Sequence, residues 1–97
     1  MANNKNTNPI VLDTFTADYT IAEHTIPVKS VIFKSSNVDD ELVLTGIAGG
    51  VEVLRLSVET ANKTVVWTPA APVMFRRLTL DVSEGTYVGT CKALIFS

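Results

Sequence analysis

The two residue types most suited to nucleophilic chemistry each occur once, and they stand far apart in the chain. They are His24 and Cys91. Nucleophilic catalysis needs a base held beside the nucleophile, and no local motif surrounds either residue. His24 falls within a polar stretch, Ala22 to Thr25, that predicts a turn, whereas Cys91 falls within an apolar strand. We therefore expect a solvated histidine, a packed thiol and a protein that is not an enzyme.

Two further segments resemble ligand-binding motifs only superficially. Asp39, Asp40 and Glu41 form the densest acidic run, but they lack the alternating oxygen ligands and the glycine of a calcium loop. We expect them to lie in a solvated turn. The glycine-rich segment 46–50 leads into a strand and not into a helix, so it lacks the helix N-terminus that binds phosphate. The sequence thus predicts no metal and no cofactor.

Charge and targeting signals exclude several classes of partner. The formal net charge is −2, and no basic stripe is present that would neutralise nucleic-acid phosphates. A single cysteine cannot form an internal disulfide, which is typical of a reducing compartment or of an assembly that does not depend on disulfides. The first nine residues include no apolar segment, and no run of 18 apolar residues follows. We expect a protein made in the cytosol that does not span a membrane.

The elements that must position these residues are β-strands. Val, Ile and Thr supply 31 of the 97 residues, and such branched side chains fit a pleated sheet better than a helix. A flexible arm over residues 1–8 and a single domain over residues 9–97 are predicted, the domain being an antiparallel β-sandwich or small barrel of seven or eight strands. The predicted strands are Ile10–Leu12, Thr14–Ile21 with a break near Ala17–Asp18, Val28–Ser35, Glu41–Thr45, Val51–Val58, Thr64–Thr68, Val73–Val82 and Thr86–Phe96, with Gly89 as a bulge or close-packing point.

An apolar segment around the single tryptophan is the candidate interface. The composition is 46% hydrophobic, high for so small a domain, and this favours a homo-oligomer or another subunit that covers apolar surface. Trp67 fits three roles: core packing, contact with another subunit, or stacking on a sugar together with Phe75 and Tyr87. Besides the arm, the predicted interface residues are Trp67, Pro69, Pro72, Phe75, Arg76 and Arg77.

The order of segments resembles that of small β-rich structural proteins in the virions of tailed bacteriophages. The resemblance rests on Val28–Ser36, the strand Glu41–Thr45, the step Trp67–Pro69, the run Leu78–Asp81 and the terminal Leu94–Phe96. It implies a capsid decoration (cement) protein or a tail component, located in the virion and bound to the major capsid or tail protein. It leaves the choice between capsid and tail open. The alternative from the aromatic residues is a small carbohydrate-binding β-sandwich module.

Overall fold

The computed structural model describes residue 3, residues 8–46 and residues 51–97, with the backbone alone at 51 and 52. Within these ranges every regular element is a β-strand. The strands are β1 (Ile10–Leu12), β2 (Tyr19–Thr20), β3 (Thr25–Val28), β4 (Ser30–Ser35), β5 (Glu41–Gly46), β6 (Val51–Ser57), β7 (Thr64–Trp67), β8 (Val73–Arg76), β9 (Thr79–Leu80) and β10 (Cys91–Phe96).

The strands form two four-stranded antiparallel sheets and a two-stranded ribbon. The first sheet has the order β1-β10-β4-β7, the second has the order β2-β9-β5-β6, and β3 pairs with β8 in the ribbon. Side chains of both sheets meet in one buried apolar cluster. This confirms the predicted all-β antiparallel fold.

The core lies between the inner faces of the two sheets. Since side chains alternate along a strand, the register defines rows that cross each sheet. The inner rows of the first sheet are Ile10–Ile95–Val31–Trp67 and Leu12–Ala93–Phe33–Val65. The second sheet contributes the buried leucines Leu42, Leu44, Leu54, Leu56 and Leu80. Burying one such side chain fully contributes roughly 1.5–3 kcal/mol, so these rows supply most of the stability.

The predicted strand Val28–Ser35 is two strands, because the chain changes partner at Lys29. Val28 ends β3 and pairs with Val73 of the ribbon, whereas the residues from Ser30 onward pair with β10 in the first sheet. The Lys29 amide donates to the Phe96 carbonyl at 2.7 Å, which anchors the crossing point. Val28 and Ile32 therefore belong to different sheets, and the prediction of one continuous strand is wrong.

A second division explains why ten strands form where fewer were expected. The predicted strand Val73–Val82 separates into β8 and β9 because Arg77 adopts a left-handed backbone with φ of 50°. An extended strand cannot continue through that conformation. The Arg77 carbonyl accepts the Thr79 hydroxyl at 3.1 Å, which holds the bend.

The predicted strands at residues 14–21 and 86–96 are shorter than expected. Only Tyr19–Thr20 of the first range is a strand, and only Cys91–Phe96 of the second. Thr86 makes an isolated bridge to Glu41, and residues 87–90 form a loop over the Ser36–Asp40 turn. A Cβ on Gly89 would lie 2.6 Å from Ser36 Oγ and 2.7 Å from the Asn37 amide nitrogen. Gly89 is thus a close-packing point, as the sequence predicts.

The predicted strands Glu41–Thr45 and Val51–Val58 form β5 and β6, which pair as an antiparallel hairpin with a register shift at Leu44/Thr45. Leu54, Leu56 and Val58 are buried, and the intervening Arg55 and Ser57 are exposed. The predicted glycine turn lies outside the described residues except for Gly46, which belongs to β5.

Most of the predicted N-terminal arm also lies outside the described residues. Two of its asparagines are described and both bond to the domain. Asn3 Oδ1 accepts the amides of Asp13 and Thr14, and Asn8 bonds to both backbone groups of Ser97.

Candidate functional site

The predicted interface segment lies at one end of the sandwich, with its two aromatic rings packed inward. Trp67 ends β7, is partly buried, and lies with its ring centroid 5.9 Å from that of Phe75 at a tilt of 44°. Phe75 is only 7% exposed. Of the three roles considered for Trp67, this placement favours core packing. Tyr87, expected beside Trp67 for sugar stacking, stacks on Phe15 instead.

The remaining members of that segment are mostly at the surface. Pro72, Arg76 and Arg77 are exposed, and Pro69 is partly exposed. Arg76 pairs across the ribbon with Thr25. Of these six residues the structure thus brings Trp67 and Phe75 into contact and packs them against the core, and it leaves the other four wholly or partly exposed.

A buried carboxylate is the main finding that the sequence did not predict. Asp40, expected in a solvated turn, is fully buried, and the expectation is wrong for this residue. Its oxygens accept from Ser35 Oγ at 2.6 Å, Asn37 Nδ2 at 2.8 Å, and the amides of Val88 and Gly89 at 3.0 and 2.9 Å. Burial alone raises the pKa of Asp40, but these hydrogen bonds outweigh it and lower the pKa from 3.8 to about 2.

Cys91 packs beside this carboxylate. Its Sγ lies 3.4 Å from Asp40 Oδ2 and 3.5 Å from Ser35 Oγ. The thiol is buried, and burial raises its pKa. The expected packed thiol is therefore found, with its Sγ within weak hydrogen-bonding distance of both oxygens. His24 is exposed between β2 and β3, as predicted.

A shallow cleft of about 280 Å³ opens next to this cluster. Phe15 and Tyr87 stack there with centroids 4.7 Å apart and planes inclined by 21°. The Tyr87 hydroxyl accepts the Val43 amide at 3.0 Å, and burial raises the pKa of Tyr87 to about 12. The phenol therefore stays protonated at neutral pH. The lining residues are Asp13, Thr14, Phe15, Thr16, Tyr87, Gly89, Thr90 and Cys91.

The outer face of the first sheet carries an apolar row that was not predicted. Val11 pairs with Leu94, Leu94 with Ile32, and Ile32 with Val66, so one residue from each of the four strands lies side by side. We call these four residues the outer row. With strands about 4.8 Å apart, it spans roughly 14 Å. Val66 is 56% exposed, and the other three are partly exposed.

A pair of lysines borders the outer row. Lys92 and Lys34 lie directly opposite each other on β10 and β4, one pleat away from Leu94 and Ile32, and both are exposed. The sequence signal for this face was the presence of apolar residues at both odd and even positions of β4 and β10. It shows that both faces are apolar but not which one stays open.

Metal-ligating residues form no cluster in the described part of the chain. Over residues 8–46 and 51–97, no group of three or more His, Cys, Asp and Glu side chains lies close enough to hold an ion. Nor do those ranges include a helix long and apolar enough to cross a membrane.

Comparison with known proteins identifies no relative. No family model, no curated protein and no solved structure matches the chain. The outer row and its lysine pair are therefore interpreted from their own geometry.

Proposed function

We propose that the chain is a non-catalytic structural protein of a phage virion, which decorates an assembled capsid and stabilises it. The observation that supports this proposal is the outer row. An apolar strip across a whole sheet, left partly exposed, is the kind of surface that proteins bury against other proteins.

The sandwich suits this role because it holds the strip rigid before contact. Each member of the outer row sits on a strand whose other face is packed into the core. Little conformational freedom is then lost when the surface docks, so more of the gain from apolar burial appears as affinity. In a symmetric shell, the same modest contact is repeated many times, and the shell as a whole is stabilised.

The strand order and composition also support a virion protein, through their resemblance to small β-rich proteins of tailed phages. Such proteins act by burying surface against their neighbours. We propose that the chain attaches to the capsid and not to the tail.

The test is whether the chain is present in purified particles at high copy number. Particles from cultures of the source strain would be banded on a density gradient and analysed by quantitative mass spectrometry. We expect the chain to co-band with the major capsid protein at many copies per particle. Its absence from intact particles would refute the proposal.

A matched pair of variants connects the result to the outer row. Ile32→Thr combined with Val66→Thr keeps β-branched residues on the strands but makes the row polar. Stripped particles are particles from which this chain has been removed. We expect the double variant to bind them at least tenfold more weakly than the wild type does. Val88→Thr changes a valine that is 74% exposed on the 87–90 loop, and it should bind normally. Equal binding by both variants would exclude the outer row as the contact surface.

A further inference from the structure

The lysine pair beside the outer row places two positive charges next to each other on neighbouring strands. Like charges directly opposite on neighbouring strands repel each other, and Lys34 and Lys92 occupy such positions. Neither forms an ion pair with any carboxylate in the described part of the chain. Both ammonium groups are thus exposed side by side without a carboxylate within ion-pair distance in these residues.

Other charged groups on this face do not relieve the repulsion. Along β1, β10, β4 and β7, the outward positions carry these two lysines and no acidic residue. Asp13, one residue beyond the last paired position of β1, is the nearest carboxylate by register, and it forms no ion pair with Lys92. The ion pair of Arg55 with Glu41 lies on the second sheet.

A second copy of the chain is a poor occupant for this face. Two copies docked through their outer rows would bring four lysines into one interface, with no carboxylate from the paired positions of either sheet. Charge repulsion in an interface disfavours such pairing, because like charges brought together cost several kcal/mol. The charge on this face instead favours a partner of opposite sign.

We infer that the outer row and the lysine pair together dock on a protein surface whose apolar residues are bordered by carboxylates. This inference rests on the proposed function and specifies its partner chemistry. The lysine stems extend the apolar contact while their ammonium groups reach carboxylates at its rim. The lysine charges at the rim determine which partner binds and accelerate association, and the outer row supplies most of the affinity.

The experiment compares charge-matched variants for binding to the stripped particles described above. Lys34→Gln with Lys92→Gln removes the lysine pair. Lys29→Gln with Lys63→Gln removes the same charge from two exposed lysines that belong to none of the strands. We expect about tenfold weaker binding for the first variant, from two rim pairs that are partly desolvated, and near-normal binding for the second. Circular dichroism would check that both variants fold.

Ionic strength provides a second readout. Raising salt from about 0.05 M to about 0.5 M should weaken binding of the wild type and of the Lys29/Lys63 variant, and it should affect the Lys34/Lys92 variant much less. If all three proteins bind equally at every salt concentration, the acidic rim is refuted while the proposed function stands. If none binds, the proposed function fails and the inference with it.

Self-association would also overturn the inference. Sedimentation velocity of the wild type over a range of protein concentrations should show no dimer that forms through the outer row. A dimer of that kind would be present in the wild type and absent in the Ile32→Thr/Val66→Thr variant. Such a dimer would show that a second copy occupies the outer row.

Discussion

Replacing Asp40 by Asn should remove a large part of the stability of the domain. The pKa of Asp40 is about 2 in the folded protein and 3.8 without the fold, so its ionised form is favoured by folding. At neutral pH this difference corresponds to about 2 kcal/mol. An asparagine offers one acceptor oxygen where four donors converge, and its NH₂ group would face another donor. We expect the free energy of unfolding to fall by about 3 kcal/mol, about 2 from the pKa difference and about 1 from donors left without an acceptor.

The pH dependence follows from the direction of the pKa change. A carboxyl whose pKa is lowered by folding stabilises the protein above its unfolded pKa and loses that contribution as pH falls. The stability gap between wild type and Asp40→Asn should therefore be full above about pH 5. It should narrow as pH falls from 3.8 toward 2.

Urea unfolding, followed by Trp67 fluorescence, measures both effects as changes in midpoint at constant slope. Asp39→Asn is the matched control, because Asp39 is exposed at a φ of 71°, a left-handed conformation that asparagine adopts readily. It should leave the midpoint nearly unchanged. Equal midpoints for the two variants, or a gap that persists unchanged at pH 2, would refute the account of Asp40.

Two smaller predictions concern the same end of the sandwich. Gly89→Ala should lower the free energy of unfolding by about 1–3 kcal/mol in urea melts, because the new methyl would lie 2.7 Å from the Asn37 amide nitrogen and the backbone there must shift. Cys91, largely buried and with a raised pKa, should react with a disulfide reagent much more slowly than a free cysteine thiol, and labelling at the free-thiol rate would contradict its placement.

Alternation of side chains predicted the strands well where one face is buried and the other is solvated. Leu54, Leu56 and Val58 against Arg55 and Ser57 is such a case. The divisions at Lys29 and Arg77 were not predictable in the same way. The division at Lys29 depends on which distant strand pairs with the residues on either side of it. The division at Arg77 depends on a left-handed backbone conformation at an arginine, where glycine or asparagine would be the usual sequence signal.

The sites were harder to predict than the strands. Asp39, Asp40 and Glu41 are three consecutive acidic residues, yet only Asp40 is buried. Two of its four donors, the amides of Val88 and Gly89, are 48 and 49 residues away. The outer row has the same difficulty, since its four members come from four strands and become neighbours only through the register of the first sheet.

The position of β10 has a consequence for how the protein is made. This strand lies between β1 and β4, in the interior of the first sheet, although it follows the other nine described strands in the chain. While Cys91–Phe96 remains in the ribosomal exit tunnel, β1 and β4 have no common partner, and their inner side chains stay exposed. The first sheet is therefore completed only after β10 has left the tunnel, and until then the nascent chain depends on its solubility or on chaperones.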